Sequence, residues 1–224
     1  MLRCRCPPGL ALEQAAAVPE AFATAYDNLL VRGRLQAGET ALIHGGDSGV
    51  GTAAVQLARR HGATVLVTAR TAERVHACRA IGADGGFPYP DADIAGEVSA
   101  RTGGRGADVI LDVVGGAYLE ANVRSLAVEG RLVVIGLQGG ATGPLDLARM
   151  LRCRLSVAGS TLRARTEHER QPLLAGLLTD VWPGFADGSL RPVVDRVMPL
   201  EAVADAHRLL EASDHVGKIV LRVD

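Results

Sequence analysis

Ala41–Leu57 reads ALIHGGDSGVGTAAVQL, and this stretch decides the fold. Mostly apolar residues run into Gly45, Gly46, Gly49 and Gly51, and a helical pattern follows with Val50, Ala54, Leu57 and Ala58 on one face. A buried strand must therefore turn sharply into a helix. Such a turn gathers backbone N–H groups at the positive end of a helix dipole, which suits the pyrophosphate of a dinucleotide. Glycine lets the backbone approach a phosphate with no Cβ in the way, and Gly51 with Ala54 lets the helix lie close on its strand. The spacing is G-x-x-G-x-G, a loose match to the general G-x-G-x-x-G pattern. A glycine turn without a ligand is the plainer alternative.

The chain has 224 residues, 48% of them hydrophobic, enough for one large domain or one and a half. A net charge of −1 gives no reason to expect nucleic acid or an anionic membrane as partner. No apolar run reaches the roughly 18 residues of a membrane span. The basic start, MLRCRCPPG, is not followed by a signal-length apolar stretch. A cytoplasmic protein is expected. Cys4, Cys6, Cys78 and Cys153 are scattered, and the C-x-C at the start has no histidine or second pair near it, which argues against zinc. Lys218 is the only lysine; all the other basic residues are arginines, so no single arginine carries much weight.

Strand-like runs at Thr40–His44, Thr64–Thr68, Ala107–Val113, Gly130–Gly136 and Leu155–Gly159 alternate with helical runs at Val50–His61, Ala72–Ile81, Ile94–Arg101 and Tyr118–Leu126. Short apolar strands joined through helices imply an α/β fold, a doubly wound parallel Rossmann sheet covered on both faces. Gly62, Gly82 and Gly130 each follow a helical run, as helix-ending glycines do. Leu10–Leu30 reads as one or two helices broken at Pro19. A helix to Trp182 follows Thr166, then Arg191–Leu200, whose alternation suits a strand at a sheet margin, then a helix Glu201–Ala212 and a strand Lys218–Val223.

An NAD-binding chain usually ends its second strand with an acid about 20 residues past the glycines. Here the window reads Thr68-Ala69-Arg70-Thr71, with Arg74 one helical turn on. No carboxylate in that window repels a phosphate, and two guanidiniums and two hydroxyls are at hand, so NADPH is favoured. The alternative is that both arginines are solvated and reflect composition. Asp112 reads as a loop cap rather than a catalytic acid, and His44 as a packed core histidine. Gly115-Gly116 and Gly136-Leu137 fall at the carboxyl edge of the sheet, where bare backbone can approach a nicotinamide ring. No metal spacing involves His61, His76, His168, His207 or His215, and no nucleophile–histidine pairing can be argued.

The stretches PPGLALEQAAAVPEAFATAYDNL, LIHGGDSGVGTAAVQLAR, LDVVGGAYLEANVRSLAVEGRLVVIGLQGG and HVGKIVL together resemble the zeta-crystallin type of quinone oxidoreductase, in the medium-chain dehydrogenase/reductase superfamily. The resemblance runs from Pro7 to Val223. Zinc-dependent alcohol dehydrogenases share the fold but would need ligands, one of them around Phe22–Tyr26, where there is none; the resemblance is to the metal-free branch. It implies that Thr24 faces the nicotinamide carboxamide and that Ser48, Gly49 and Val50 hold the pyrophosphate, with Gly46 and Gly51 also counted as cofactor-binding. Arg70, Thr71 and Arg74, with Tyr89, would surround the 2′-phosphate, although many relatives have glycine at position 70, and Thr68 is also counted as cofactor-binding. Gly136, Leu137 and Thr161-Leu162-Arg163 would line the nicotinamide pocket, with Lys218 near the phosphates.

The implied reaction is hydride transfer from NADPH to a quinone or enone, with orientation and exclusion of water as the protein's part. A non-catalytic NADPH-binding module is the first alternative and a zinc-dependent alcohol dehydrogenase the second. The family carries an N-terminal GroES-like barrel. The expectation is therefore that residues 1–26 are its remnant and linker, 27–187 the Rossmann domain, and 188–224 a segment packing on both. The chain would then be a truncated product, would work with a partner chain, or would stand as a bare module, with apolar surface left exposed at the first helices and at Arg191–Leu200. A homodimer through the edge strand Leu155–Gly159 is also implied.

Overall fold

The computed structural model describes residues 6–7 and 9–223. Cys4 and most of the Met1–Cys6 start therefore lie outside the described residues. Two helices, α1 (Leu12–Ala16) and α2 (Pro19–Tyr26), run into a π-helical turn at Asp27–Arg32. Strand β1 (Thr40–His44) leads into α3 (Gly49–Arg60), then β2 (Thr64–Ala69), α4 (Ala72–Ala80), β3 (Gly85–Pro88), α5 (Ile94–Arg101), β4 (Ala107–Asp112), α6 (Leu119–Ser125) and β5 (Leu126–Val134). There follow α7 (Leu147–Cys153), β6 (Ser156–Gly159), α8 (Glu167–Gly176), α9 (Trp182–Ala186), β7 (Val194–Pro199), α10 (Val203–Glu211) and β8 (Lys218–Arg222).

The six strands β3-β2-β1-β4-β5-β6 form one parallel sheet. Its order reverses between β1 and β4, the switch point at which open α/β sheets take ligands. Alternation along each strand feeds two cores. Ala41 and Ile43 pack with Val65, Val67, Val109 and Leu111 under α2 and α3. Leu42 points the other way, with Leu66 and Ile110, onto Phe87, Val98 and Leu132. Both faces are buried, so the strands read as apolar runs.

α2 is a core helix. Phe22 is buried against Phe185 with ring centroids 4.9 Å apart, edge to face. Tyr26 donates its hydroxyl to Asp180 Oδ2 at 2.6 Å, and burial together with that carboxylate pushes the phenol up to about 12. Nearby, the buried Asp27 carboxylate accepts from Arg32 Nε at 3.0 Å and from Arg165.

Several expectations are corrected. Gly62 and Gly82 do end helices with φ of +83° and +117°, but Gly130 lies inside β5, and Glu129 beside it takes the left-handed conformation with φ +63°. β5 starts at Leu126 and ends at Val134, so Gly136 lies past the strand. β3 and α7 were not expected. The Arg191–Leu200 segment does not join the margin of the main sheet. It supplies β7, which pairs in parallel with β8 in a separate two-stranded sheet. α10 spans the crossover between them. Leu12, Val197 and Leu200 are exposed.

Candidate nucleotide-binding site

β1 ends at His44, and the chain reverses through Gly45, whose φ of +66° favours glycine. A Cβ on Gly51 would stand 2.0 Å from the Gly45 carbonyl oxygen, and one on Gly46 2.6 Å from Val67 Cγ1. Helix α3 can pack this closely on β1 and β2 only without those side chains. Ser48 caps the helix, its Oγ accepting from Gly51 N at 3.0 Å. The first-turn N–H groups of Gly49 and Val50 have no acceptor among the described residues. They face outward at the positive end of the helix.

A cavity of about 770 Å³ opens over this loop at the switch point. Of the expected site residues, Ser48, Gly49, Val50, Thr68, Arg70, Arg74, Tyr89 and Lys218 line it. Thr71 instead caps α4, its Oγ1 accepting from Arg74 N at 3.4 Å. Gly46 lies in the turn itself and Gly51 in the first turn of α3, where the close packing requires glycine. Thr24, Leu162 and Arg163 line a second hollow of about 570 Å³ together with Asn28 and Ser160. There the Ser160 hydroxyl donates to Asn28 Oδ1 at 2.6 Å. Gly136 presses on β4's end, where a Cβ would come within 2.6 Å of the Val113 carbonyl, and Leu137 is exposed. Neither of them lines these two cavities.

The C-terminal unit forms one wall of the cavity. Gly217 N donates to the Asp47 carbonyl at 2.8 Å, and Ser48 and Gly217 form a parallel bridge. Arg70 Nη1 donates to the Ala212 carbonyl at 3.2 Å. The window Thr68–Thr71 has no acid, but the glycine turn supplies one. Arg74 Nη1 donates to Asp47 Oδ2 at 2.7 Å. Arg74 is thus not the unopposed cation that its place in the sequence implied. Asp47 was missed; its signal was an acidic residue inside an anion cradle. His215, whose buried Nδ1 has no partner among the described residues, also lines the cavity and was missed.

A buried polar cluster supports the floor. His44 Nδ1 lies 3.0 Å from Thr68 Oγ1 and Nε2 lies 2.7 Å from Asn122 Oδ1, with the Tyr118 ring edge-on at 5.0 Å. Burial holds the His44 imidazole below its ordinary range, against the pull of the Asp112 charge and the Asn122 hydrogen bond. Burial lifts the Asp112 carboxyl in turn, although it accepts from Val114 N at 2.7 Å and Gly115 N at 3.0 Å. That is the loop-capping role expected of it.

The chain matches the zinc-binding dehydrogenase family over residues 49–178, more than half its length. The chain belongs to that family, within the medium-chain dehydrogenase/reductase superfamily. It is 37% identical over 226 residues to the phthioceranic/hydroxyphthioceranic acid synthase of Mycobacterium tuberculosis, covering 99% of this chain and 10% of the relative. It is 34% identical over 221 residues to a highly reducing polyketide synthase of Emericella nidulans, covering 97% of this chain and 9% of the relative. Human quinone oxidoreductase is 32% identical over 218 residues, 97% of this chain and 64% of that protein. The chain thus spans a tenth or less of the two synthases and under two thirds of the oxidoreductase.

Among solved structures of the superfamily, an NAD-dependent alcohol dehydrogenase is similar with a TM-score of 0.85 and 36% identity, over 97% of this chain and 61% of the other. Mycobacterial Rv1454c complexed with NADPH gives a TM-score of 0.85 and 28% identity, over 97% and 66%. JamJ enoyl reductase gives 0.84 and 29%, over 97% and 65%. Among the described residues of this family member, no three His, Cys, Asp or Glu side chains come together as a metal site. No helix among them is long and apolar enough to cross a membrane.

Proposed function

We propose that this chain is the cofactor-binding part of a cytoplasmic, NADPH-dependent, zinc-free reductase of the zeta-crystallin quinone oxidoreductase type, acting on a quinone or an enone. The observation that carries the reading is the glycine turn itself: Cβ-excluded backbone, N–H groups at Gly49 and Val50 with no acceptor among the described residues, and a cavity that continues from there to Arg70 and Tyr89. The residues fit a dinucleotide. Gly49 and Val50 N–H and the Ser48 hydroxyl would hold the pyrophosphate, with the Lys218 ammonium beside them. Arg70 and Tyr89, with Arg74, would take the 2′-phosphate. Thr24, Leu162 and Arg163 would receive the nicotinamide end in the second hollow. A bound NADPH supplies hydride from C4 of its ring. The chain's own residues bind, orient and exclude water; none is assigned a proton-transfer role.

Residues 27–187 form the dinucleotide-binding domain in this reading. Residues 1–26 and 188–224 are the segments that join it to a catalytic barrel, and two copies pair through β6. Titration calorimetry with NADPH and NADH tests the cofactor: NADPH is expected to bind more tightly, and equal or tighter NADH binding overturns the assignment. Steady-state reduction of a quinone and of an enone tests the activity. Tight NADPH binding with no turnover of either would favour a non-catalytic binding module.

A further inference from the structure

Arg74 is the most heavily engaged cation of the cavity. Its Nη1 donates to Asp47 Oδ2 at 2.7 Å and to the His215 carbonyl at 2.6 Å, and its Nη2 donates to the Ser213 carbonyl at 2.6 Å. The Asp214 carboxylate stands 3.9 Å from Nη2. Both side chains of the Arg74–Asp47 pair are largely withdrawn from solvent, at 18% and 13% exposure. A guanidinium has five N–H donors in a fixed fork. Both Nη1 hydrogens and one on Nη2 are already committed. An incoming phosphate gains most from a free, bidentate edge of such a fork, and Asp47 holds part of that edge.

Asp47 sits one residue ahead of the cap of α3, and its carboxylate is turned to Arg74 at 2.7 Å. Its backbone is held independently, by the Gly217 N–H on its carbonyl. The side chain can therefore change without unfastening the loop from β8. Arg70, the other arginine on this wall, is exposed and donates to the Ala212 carbonyl.

We propose that Asp47 sets how strongly this chain selects a nucleotide bearing a 2′-phosphate, by acting as an internal counter-anion on Arg74 that the phosphate must displace. The inference rests on the nucleotide reading above and deepens it. Exchange replaces a single carboxylate charge by a phosphate of greater charge with more acceptor oxygens, so it runs forward. Only the difference between the two anions is gained, however, and the neighbouring carboxylate repels the newcomer. A nucleotide without the 2′-phosphate makes no demand on Arg74 and is indifferent to Asp47.

Calorimetric titration of the full chain with adenosine 2′,5′-diphosphate and with adenosine 5′-monophosphate isolates this one group and needs no turnover. Asp47→Asn is expected to lower the Kd for the diphosphate about tenfold and to change that for the monophosphate less than about twofold. Asp47→Glu keeps the anion and is expected to retain the selectivity of the parent chain, and Arg74→Gln to fall below it. Thermal melts of each variant accompany the titrations. Asp47→Ser removes the same charge and serves where Asp47→Asn does not fold. Equal shifts for both nucleotides, or no shift in either carboxylate-free variant, overturn the proposal. Failure of both nucleotides to bind the parent chain and every variant sinks the nucleotide reading itself, and this inference with it.

Discussion

Lys218 Nζ donates to Glu20 Oε2 at 2.7 Å, joining a residue that lines the glycine-turn cavity to one that lines the second hollow. The two side chains are 32% and 62% exposed, so water screens the pair. Such pairs contribute about 0–1 kcal/mol. Glu20→Gln should shift urea unfolding by less than about 1 kcal/mol. Lys218→Met should do no more to stability yet weaken NADPH binding. Unchanged affinity in Lys218→Met would remove Lys218 from the phosphate site.

Gly51 and Gly159 make a contrasting pair. A Cβ at Gly51 meets backbone 2.0 Å away, whereas Gly159 has nothing within 4 Å and an ordinary φ. Gly51→Ala is expected to cost about 3 kcal/mol or more, because backbone cannot rotate aside as a side chain can. Gly159→Ala should stay within about 0.5 kcal/mol. Chemical denaturation of both variants checks this, and a mild Gly51→Ala would mean that α3 can slide off β1.

The His44 cluster gives stability a pH dependence. Burial holds folded His44 below the roughly 6.5 of an unfolded histidine, so the unfolded chain binds the proton first as pH falls. The contribution is complete above that value and is lost below it, by at most about 1.4 kcal/mol per pH unit. Asp112 acts in the opposite sense. Its raised carboxyl takes a proton in the folded chain first, which offsets part of the loss at lower pH. Between about pH 7 and pH 5 the melting temperature should fall, and in His44→Gln the slope should flatten. An identical slope in the variant would exclude His44 as the source.

Arg131 grips Glu39 with both ends of its fork, Nη1 to Oε1 at 2.9 Å and Nη2 to Oε2 at 2.6 Å, while its Nε donates to the Gly33 carbonyl at 2.8 Å. Burial opposes the Glu39 charge, but the Arg131 hydrogen bond, the Gln36 N–H and the charges of Arg131 and Arg105 together outweigh it and keep the carboxyl below the ordinary range. The pair therefore stabilises the fold above the usual glutamate value near 4.3 and loses that effect as pH drops through the folded value. Arg131→Lys cannot reproduce the fork, and a loss of about 2 kcal/mol is expected by denaturation.

Strand β6 is one edge of the main sheet, and Val157 on it is 37% exposed. If two copies pair there, sedimentation velocity should give a dimer, and Val157→Lys should shift it toward monomer because edge lysines discourage strand addition. A monomeric parent chain ends that part of the proposal.

The Rossmann sheet could be read from β1 to α3 because its rules are local: apolar alternation, then glycines, then a helical stripe. β3 escaped notice because GGFP has no β-branched residue and two glycines, which normally mark a turn. α7 escaped because an arginine-rich LARMLRC with no buried residue shows little apolar face. The site was legible where backbone makes it, at Ser48–Gly51. It was not legible where distant charges meet. The window after β2 has no acid, yet Asp47 reaches Arg74 from the neighbouring loop, and spacing along one segment carries no sign of such a contact. The partner of β7 was hidden for the same reason, since β8 lies a whole helix away.

The bond from Gly217 N to the Asp47 carbonyl has a consequence in time. The glycine turn leaves the ribosome about 170 residues before the strand that closes over it, a delay of roughly 10–30 s at ordinary rates of synthesis. During that interval the sheet can assemble from β1 to β6, but the glycine turn lacks its contact with β8. In a nascent chain of this protein the glycine turn stays uncovered until β8 arrives, so translation itself decides when the two can first be joined.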